Sequence, residues 1–363
     1  MRAALNTMNF RGKIVIGEGE LDEAPMLSLG EKLGTGNGPK VDIAVDPVEG
    51  TNFVANNLPG ALSVIAIAEE GNLFHAPETY MDKIAVSKDV PYDAIDLDYT
   101  IEKNIKNLAD HKNKDTTKIT ACLLDRPRHS EIIKKLKKMK VNIKLLSDGD
   151  VSGALLVTNP KYNVDIFLGI GGGPEGVLAA SALDAYNCKF QGRFLFNNEK
   201  DISRAKSMGI KDLKKKYEIN EIVKGDSIFC ATGITPCDLV NGVIEKNSMY
   251  ITETLVTHKE SIIDTFKKEL PKTCSVECKS MAFCKTRYGT REHKSGSPGP
   301  PPCGGDLLFR EPLGARRRGY PRDAACDGVN HGGGAGVGPG AGAGAPPDTQ
   351  PETEFTFPTE SKR

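Results

Sequence analysis

The stretch "VDIAVDPVEGTN", residues 41–52, predicts a buried strand and the turn that follows it. Its first five residues are almost all apolar and include valine and isoleucine, which favours a strand buried on both faces. Asp46, Glu49 and Thr51 follow within six residues, separated by a proline and a glycine that favour a turn. Open α/β sheets build their binding sites at the carboxyl ends of strands, so an acidic turn in this position indicates a functional site.

Short β-rich runs alternate with helical patterns between residues 13 and 268, which is typical of an α/β protein. In the segment 129–140, apolar residues recur at helical spacing and lysines fill the other faces, which predicts a helix with a solvated surface. A second helix is expected over 174–185. The predicted strands are 13–17, 41–45, 61–68, 118–124, 142–146, 164–169 and 226–233.

Length and composition narrow the class of protein. The 363 residues suffice for two domains or one large α/β unit. Lys plus Arg and Asp plus Glu each total 48, so no overall charge favours nucleic acid or an anionic membrane. No apolar run is long enough for a membrane span, and the N-terminus lacks a signal peptide core, so a cytoplasmic location is expected. Cys122, Cys188, Cys230 and Cys237 lack paired spacing and are predicted to be free, buried thiols.

The composition changes abruptly after about residue 280. Residues 281–363 are rich in glycine, proline and alanine and poor in large apolar residues, so we expect them to be disordered. Cys274, Cys278 and Cys284 lie near this border without the spacing of a zinc module.

Two further acidic stretches occupy the same position relative to predicted strands. "IVIGEGELDEAP" (14–25) contains Glu18, and "GIGGGPEGV" (169–177) contains Glu175. Convergent carboxylates of this kind suit Mg²⁺ or Mn²⁺, which take oxygen ligands and support phosphoester hydrolysis. Asp46 and Glu49 can point to one centre across their turn, where a cation offsets their repulsion. Gly50 lets the chain approach a phosphate, and Thr51 places a hydroxyl beside the metals.

Other loops after strands add charged residues. "DRPRH" (125–129) supplies Arg126 and Arg128, which can bind a second phosphate, and "SDGDV" (147–151) supplies carboxylates that can accept hydrogen bonds from sugar hydroxyls. The glycines before Pro174 form a turn into a helix, either a plain helix entry or a phosphate site. Tyr80 could equally be a site residue or a core aromatic residue. His75 and His129 occur singly and are expected to be surface or packing residues.

Taken together, the motifs resemble the class II fructose-1,6-bisphosphatases of the lithium-sensitive sugar phosphatase superfamily. Over about 9–268 the chain contains, in the family's order, "VIGEGELDEAPML", "VDIAVDPVEGT", "APETYMDK", "RPRH", "DGDV", "GIGGGPEGV", "ATGIT" and "TETL". The resemblance implies a layered α/β/α/β/α sugar phosphatase sandwich, assembled as a homodimer or homotetramer. It also implies metal-dependent release of the 1-phosphate of fructose 1,6-bisphosphate in gluconeogenesis or the Calvin cycle, with sedoheptulose 1,7-bisphosphate as a further substrate.

The resemblance also assigns roles to individual residues. Thr51 is expected to orient the attacking water, with Asp46 and Glu49 as its catalytic partners. The expected metal ligands, for Mn²⁺ or Mg²⁺, are Glu18, Asp46, Glu49 and Glu175. The expected substrate contacts are Glu49, Gly50, Thr51, Tyr80, Arg126, Arg128, Asp148, Asp150 and Gly172. Residues 1–125 are predicted to form the metal-binding part, 126–270 the substrate-binding part and 281–363 a disordered tail.

Members of this family usually carry a further N-terminal segment with an acidic loop, and they lack a tail of this kind. The expectation from these departures is a truncated or mis-joined gene product, with a plastid as the alternative location if a leader has been lost. Two alternative functions stay open: a related lithium-sensitive phosphatase acting on an inositol or other sugar phosphate, and a catalytically silent subunit that binds sugar phosphate.

Overall fold

Residues 1–18, 27–259 and 261–271 are described in the computed structural model of the chain. The predicted disordered tail and the cysteines at its border lie outside the described residues. The helices of the described part are α1 (Arg2–Leu5), α2 (Thr51–Ala55), α3 (Ile101–His111), α4 (Ser130–Lys138), α5 (Asp150–Leu155), α6 (Gly173–Ala185), α7 (Glu199–Ser207) and α8 (Ile219–Ile222). The strands are β1 (Arg11–Ile16), β2 (Lys32–Leu33), β3 (Lys40–Glu49), β4 (Leu62–Glu69), β5 (Tyr80–Val86), β6 (Thr120–Leu124), β7 (Asn142–Leu146), β8 (Ile166–Gly172), β9 (Lys189–Leu195), β10 (Lys216–Glu218), β11 (Ser227–Gly233), β12 (Ile244–Lys246), β13 (Met249–His258) and β14 (Ser261–Pro271).

The strands form two sheets. The larger has the order β12-β13-β11-β4-β3-β1-β2, with β14 also paired to β13. The smaller has the order β10-β9-β5-β8-β6-β7. In the larger sheet β1 and β3 are parallel neighbours, so their carboxyl ends lie at the same edge. Glu18, two residues after β1, and Asp46 and Glu49, in the last part of β3, are therefore brought to one side of the sheet.

Helix α6 lies between the two sheets. It contacts β3, β4 and β11 of the larger sheet and β5, β8 and β9 of the smaller one. Its residues 176–185 are all buried, which explains why this segment is apolar apart from Ser181 and Asp184. Because α6 begins directly after β8, its first turn lies where the carboxyl end of β8 meets the larger sheet's edge.

Further helices cover the outer faces. Ile105 of α3 and Leu136 of α4 pack against Ile84 of β5 on the outer face of the smaller sheet. Leu5 of α1 packs with Ile43 of β3 on the outer face of the larger sheet. The lysines of α4 are exposed, as its sequence predicts. The predicted layered α/β fold is confirmed, and the predicted boundary between its two parts, at residue 125, falls directly after β6.

All seven strands predicted from the sequence form, β7 with the predicted bounds and the other six with shifted ends. The sequence did not indicate β5, β9 and β13, whose residues mix charged and apolar side chains. β5 is an example: its "YMDKIAV" contains Asp82 and Lys83 in mid-strand, yet it is hydrogen-bonded to strands on both sides. Central position in the sheet has outweighed the low strand propensity of these charged residues.

The four cysteines at positions 122, 188, 230 and 237 are free, and the first three are buried. Cys237 is half-buried, which differs from the prediction. Burial raises the pKa of Cys122 and of Cys188 to about 12 in each case, so both thiols are protonated at neutral pH. None of the helices in the described ranges has the length and apolarity required to span a membrane.

Candidate active site

The first two carboxylates of the site, predicted from the sequence to lie in the turn after the strand, lie on β3 itself, which extends to Glu49. In a regular strand Asp46 and Glu49, three residues apart, would point to opposite faces. The pairing of β3 with β4 is irregular here, because Asp46 pairs with Val64 and Glu49 with Leu62. One extra residue is therefore accommodated in β3, and this bulge turns both side chains to the same side. The backbone N–H of Val48 donates to Oδ1 of Asp46 at 2.9 Å and holds the bulge.

Asp46, Glu49 and Glu175 form a close group of carboxylates. One oxygen from each lies within 4.8 Å of the others. Asp46 is 6% exposed and Glu49 is 4% exposed. Burial raises the pKa of Glu49 well above its usual range, and the charges of Asp46 and Glu175 raise it further. Oxygen donors that are buried together against their own repulsion fit a hard divalent cation such as Mg²⁺ or Mn²⁺.

Glu175 is placed by the junction of β8 and α6. Gly172 ends β8 and caps α6 with φ −65° and ψ 144°. A Cβ on Gly172 would collide with Oε2 of Glu175, and a Cβ on Gly171 would collide with the Asp150 carboxylate. A side chain at either position would therefore displace one of these carboxylates. The "GIGGG" stretch lets two carboxylates lie directly against the backbone.

Two hydrogen bonds join the end of β3 to the loop before α5. The N–H of Val151 donates to Oε1 of Glu49 at 2.9 Å, in the buried interior. The N–H of Asn52 donates to Oδ2 of Asp148 at 3.2 Å. The segments are far apart in sequence, so these bonds fix the two loops relative to each other.

The arginines after β6 are held by backbone carbonyls. Arg126 donates to the carbonyl of Ser147 at 2.5 Å and to Oδ1 of Asp148 at 3.2 Å. Arg128 donates through Nε to the carbonyl of Ile170 at 2.9 Å, and its guanidinium lies 4.8 Å from the centre of the Tyr80 ring. The contact with Tyr80 is a cation–π interaction, which gives this aromatic residue a role besides packing.

His129 follows Arg128 directly and is buried next to this site. Its ring is 1% exposed. Nδ1 lies 2.7 Å from the carbonyl of Leu124, and the N–H of Ile170 donates to Nε2 at 2.7 Å. The tautomer with a proton on Nδ1 satisfies both partners. His129 and Arg128 together bind both backbone polar groups of Ile170, so the packing role predicted for the histidine is confirmed and extends to the "GIGGG" stretch.

We expect acid to weaken the fold through His129. Burial lowers its pKa, with Arg128 also lowering it, whereas the hydrogen bond with Leu124 and the charge of Asp150 oppose this. The unfolded chain therefore binds a proton more readily, so the stabilisation is present above about pH 6.5 and is lost as the pH falls further. Protonation at Nε2 leaves the N–H of Ile170 without an acceptor, which costs about 1–3 kcal/mol.

Thermal unfolding of the chain and of His129→Gln, at about pH 7.5 and about pH 5.5, measures this effect. The glutamine can bond both backbone groups and does not titrate. The midpoint of the wild-type chain is expected to fall more between the two pH values than that of the variant. Equal falls would show that His129 does not contribute to acid sensitivity.

Phe53 of α2 connects three loops around the site. Cβ atoms placed on Gly50, Gly60 and Gly149 would each lie within 3.1 Å of its ring. All three glycines have positive φ, so both the backbone and the space require glycine there. Thr51, the first residue of α2, is exposed next to this cluster.

A cavity of about 430 Å³ adjoins the same loops. Asp148 lies at its wall, together with the apolar side chains of Phe53, Leu146 and Leu239. Its lining is mainly apolar, which suits a phosphate poorly.

Most residues singled out from the sequence are thus joined by direct contacts or lie on adjoining segments. Glu18 follows β1 by two residues and is half-buried, outside the close group of three carboxylates. Three contributors carried no signal in the sequence. They are Lys83, which bonds Asp150, and the backbone donors at Asn52 and Val151.

Comparison with known proteins places the chain among phosphatases. A family model described as "Bacterial fructose-1,6-bisphosphatase, glpX-encoded" matches residues 1–268. "Fructose-1,6-bisphosphatase 1 class 2" of Escherichia coli (strain K12) is 39% identical over 275 residues, which are 72% of this chain and 81% of that protein. "Fructose-1,6-bisphosphatase 2 class 2" of the same strain is 40% identical over 270 residues, 70% and 84% of the two chains. "D-fructose 1,6-bisphosphatase class 2/sedoheptulose 1,7-bisphosphatase" of Prochlorococcus marinus (strain MIT 9301) is 38% identical over 270 residues, with 70% of this chain and 81% of that protein covered.

Proposed function

The chain belongs to the family of bacterial class 2 fructose-1,6-bisphosphatases, and from this membership we propose that it hydrolyses the 1-phosphate of fructose 1,6-bisphosphate. Water attacks the phosphorus, the bond from phosphorus to the sugar oxygen breaks, and fructose 6-phosphate and inorganic phosphate are released. The observation that carries the proposal is the group of Asp46, Glu49 and Glu175 beside two arginines held by backbone carbonyls.

This family is metal-dependent. We propose Mn²⁺ or Mg²⁺ as the ion, with Asp46, Glu49 and Glu175 as ligands and Glu18 as a further one. A divalent ion bound to these oxygens supplies positive charge against the phosphate and the attacking water. The three grouped carboxylates suit this role, because without a cation their burial and mutual repulsion are unfavourable.

The other groups of the site act on the substrate and the water. Thr51 orients the attacking water through its hydroxyl, beside Gly50, whose lack of a side chain lets a phosphate approach the backbone. Arg126 and Arg128 bind the phosphate that is retained, since guanidinium groups bond phosphate oxygens in pairs. Asp148 and Asp150 accept hydrogen bonds from sugar hydroxyls, with Tyr80 and Gly172 completing the contacts.

Sedoheptulose 1,7-bisphosphate is the second substrate that we propose. A relative that is 38% identical is named for both activities. The two sugars differ in length between their phosphates, so the same carboxylates can act on either if the arginines reach the distal phosphate. We also propose a homodimer or homotetramer in the cytoplasm, and a fold divided into metal-binding (1–125) and substrate-binding (126–270) parts.

Phosphate release by the full-length chain tests the function. Fructose 1,6-bisphosphate, sedoheptulose 1,7-bisphosphate, fructose 6-phosphate and an inositol monophosphate are compared, each with Mn²⁺, with Mg²⁺ and with chelator. Metal-dependent release from the bisphosphates, with little from fructose 6-phosphate, is the expected result. Preference for the inositol phosphate would indicate a related phosphatase, and substrate binding without release would indicate a silent binding subunit.

A further inference from the structure

Lys83 of β5 is the only lysine or arginine that is buried in the described part of the chain, with 1% of its surface exposed. Its ammonium group donates to Oδ2 of Asp150 and, at 2.7 Å, to the carbonyl oxygen of Gly172. Transfer of a lysine charge from water to the interior is costly unless the charge is fully paired. Apolar residues often replace such a pair without loss of stability, so the pair is weak evidence for a purely stabilising role.

The surroundings of Lys83 are shaped to admit its side chain. Its neighbours across the sheet are Gly169 on β8 and Gly192 on β9, neither of which has a side chain. On the third side a Cβ at Gly176, in the first turns of α6, would lie 3.4 Å from Cδ of Lys83. Lys83 is therefore paired with a glycine on each neighbouring strand, and α6 lies close to its side chain at Gly176.

The two partners of Lys83 belong to two segments that flank the carboxylate group. Asp150 begins α5, and the next residue, Val151, donates its N–H to Glu49. Gly172 caps α6, whose first turn carries Glu175. One ammonium group thus connects the segment that holds Glu49 to the segment that carries Glu175.

We propose that Lys83 is a positioning residue for this site: it holds the Asp150 carboxylate and the Gly172 carbonyl together, and thereby fixes the distance between Glu49 and Glu175. The inference rests on the proposed function in that these carboxylates bind the metal. Lys83 itself does not touch the reacting atoms. Without the ammonium group, the start of α6 loses the bond that ties it to α5, and the group of carboxylates widens.

Lys83→Met tests the proposal, because methionine has a similar length and no charge. Mn²⁺ binding to the substrate-free chain is measured by calorimetry, alongside kcat and KM for fructose 1,6-bisphosphate and thermal unfolding. Loss of a residue that orients metal ligands typically costs about 10- to 100-fold in metal affinity or activity, and we expect this range for both Mn²⁺ affinity and kcat. Lys216→Met is the matched control. Lys216 lies on β10, at one edge of the same sheet, and pairs with the carboxylate of Asp96. Its Mn²⁺ affinity is expected to equal that of the wild-type chain.

A second comparison is needed if Lys83→Met does not fold because the buried Asp150 charge has lost its partner. Asp150→Asn removes that charge, and Lys83→Met/Asp150→Asn then removes the ammonium group without exposing an unpaired carboxylate. The double variant is expected to bind Mn²⁺ less tightly than Asp150→Asn alone, because the bond to Gly172 is lost as well.

Folded Lys83 variants that bind Mn²⁺ as tightly as their parents would overturn the proposal, whatever their melting temperature. The Mn²⁺ measurement needs no turnover. If the wild-type chain binds Mn²⁺ but releases no phosphate, the proposed function fails while the role of Lys83 is still decided. A wild-type chain that binds neither Mn²⁺ nor Mg²⁺ would overturn both.

Discussion

Glu49→Gln is expected to reduce metal-dependent phosphate release by about 100-fold or more, since ligands contribute more than the residues that orient them. The glutamine keeps the shape of the side chain and an oxygen that accepts the N–H of Val151, so the bond between β3 and α5 can persist. Only the charge is removed. The effect on activity is therefore separable from an effect on folding.

The same substitution is expected to leave the metal-free chain at least as stable as before. Burial and two neighbouring carboxylates disfavour the charge of Glu49, and a neutral amide relieves both. Thermal unfolding with chelator and calorimetric titration with Mn²⁺ measure the two effects. A loss of activity with no loss of metal-free stability is the expected combination.

Glu69→Gln is the control for this experiment. Glu69 is exposed and pairs with Val41, at the opposite end of β3 from the site. Its substitution is expected to change neither activity nor Mn²⁺ affinity. Glu49→Gln with activity near that of the wild-type chain would contradict the assignment of Glu49 as a ligand.

Gly172→Ala is expected to have the second-largest effect. The φ of −65° suits alanine, so the backbone tolerates the change. The new Cβ collides with Oε2 of Glu175 and would lie 2.6 Å from its Cδ. Because Glu175 is flexible at its end, the side chain must move away, and a displacement of about 1 Å at such a site costs about 100-fold in rate. We therefore expect a folded chain with weak Mn²⁺ binding and little activity.

Gly209→Ala is the control, because it is expected to lower stability without affecting the site. Gly209 has a φ of +90°, and a Cβ there meets no atom within 4 Å. Strain of the backbone is expected to lower stability by about 1 kcal/mol while activity is kept. Should Gly172→Ala retain full activity, Glu175 would not need its present position.

Local sequence pattern indicated where the three grouped carboxylates lie along the chain, but not how they come to face one another. Asp46 and Glu49 follow an apolar run, and Glu175 starts an apolar helix, so local pattern was enough to place them at strand ends. The bulge that directs Asp46 and Glu49 to one side depends on pairing with β4, which no local pattern reveals.

Lys83 illustrates what local pattern cannot supply. A lysine in a strand is ordinarily solvated, but here its ammonium group is paired with Asp150 and Gly172, which lie 67 and 89 residues away in the sequence. His129 is similar, because its partner Ile170 lies 41 residues away. Such roles arise from contacts between distant segments and become visible only in three dimensions.

The bonds that join these segments have a consequence for when the site forms. The contact from Glu49 to Val151 closes a separation of 102 residues, and that from Lys83 to Gly172 closes one of 89. Closing a long loop costs conformational entropy before the free energy of further contacts offsets it, so such pairings tend to form late in folding. A nascent chain on the ribosome would therefore hold its carboxylates apart until α6 had emerged, and would begin to bind metal only as folding neared completion.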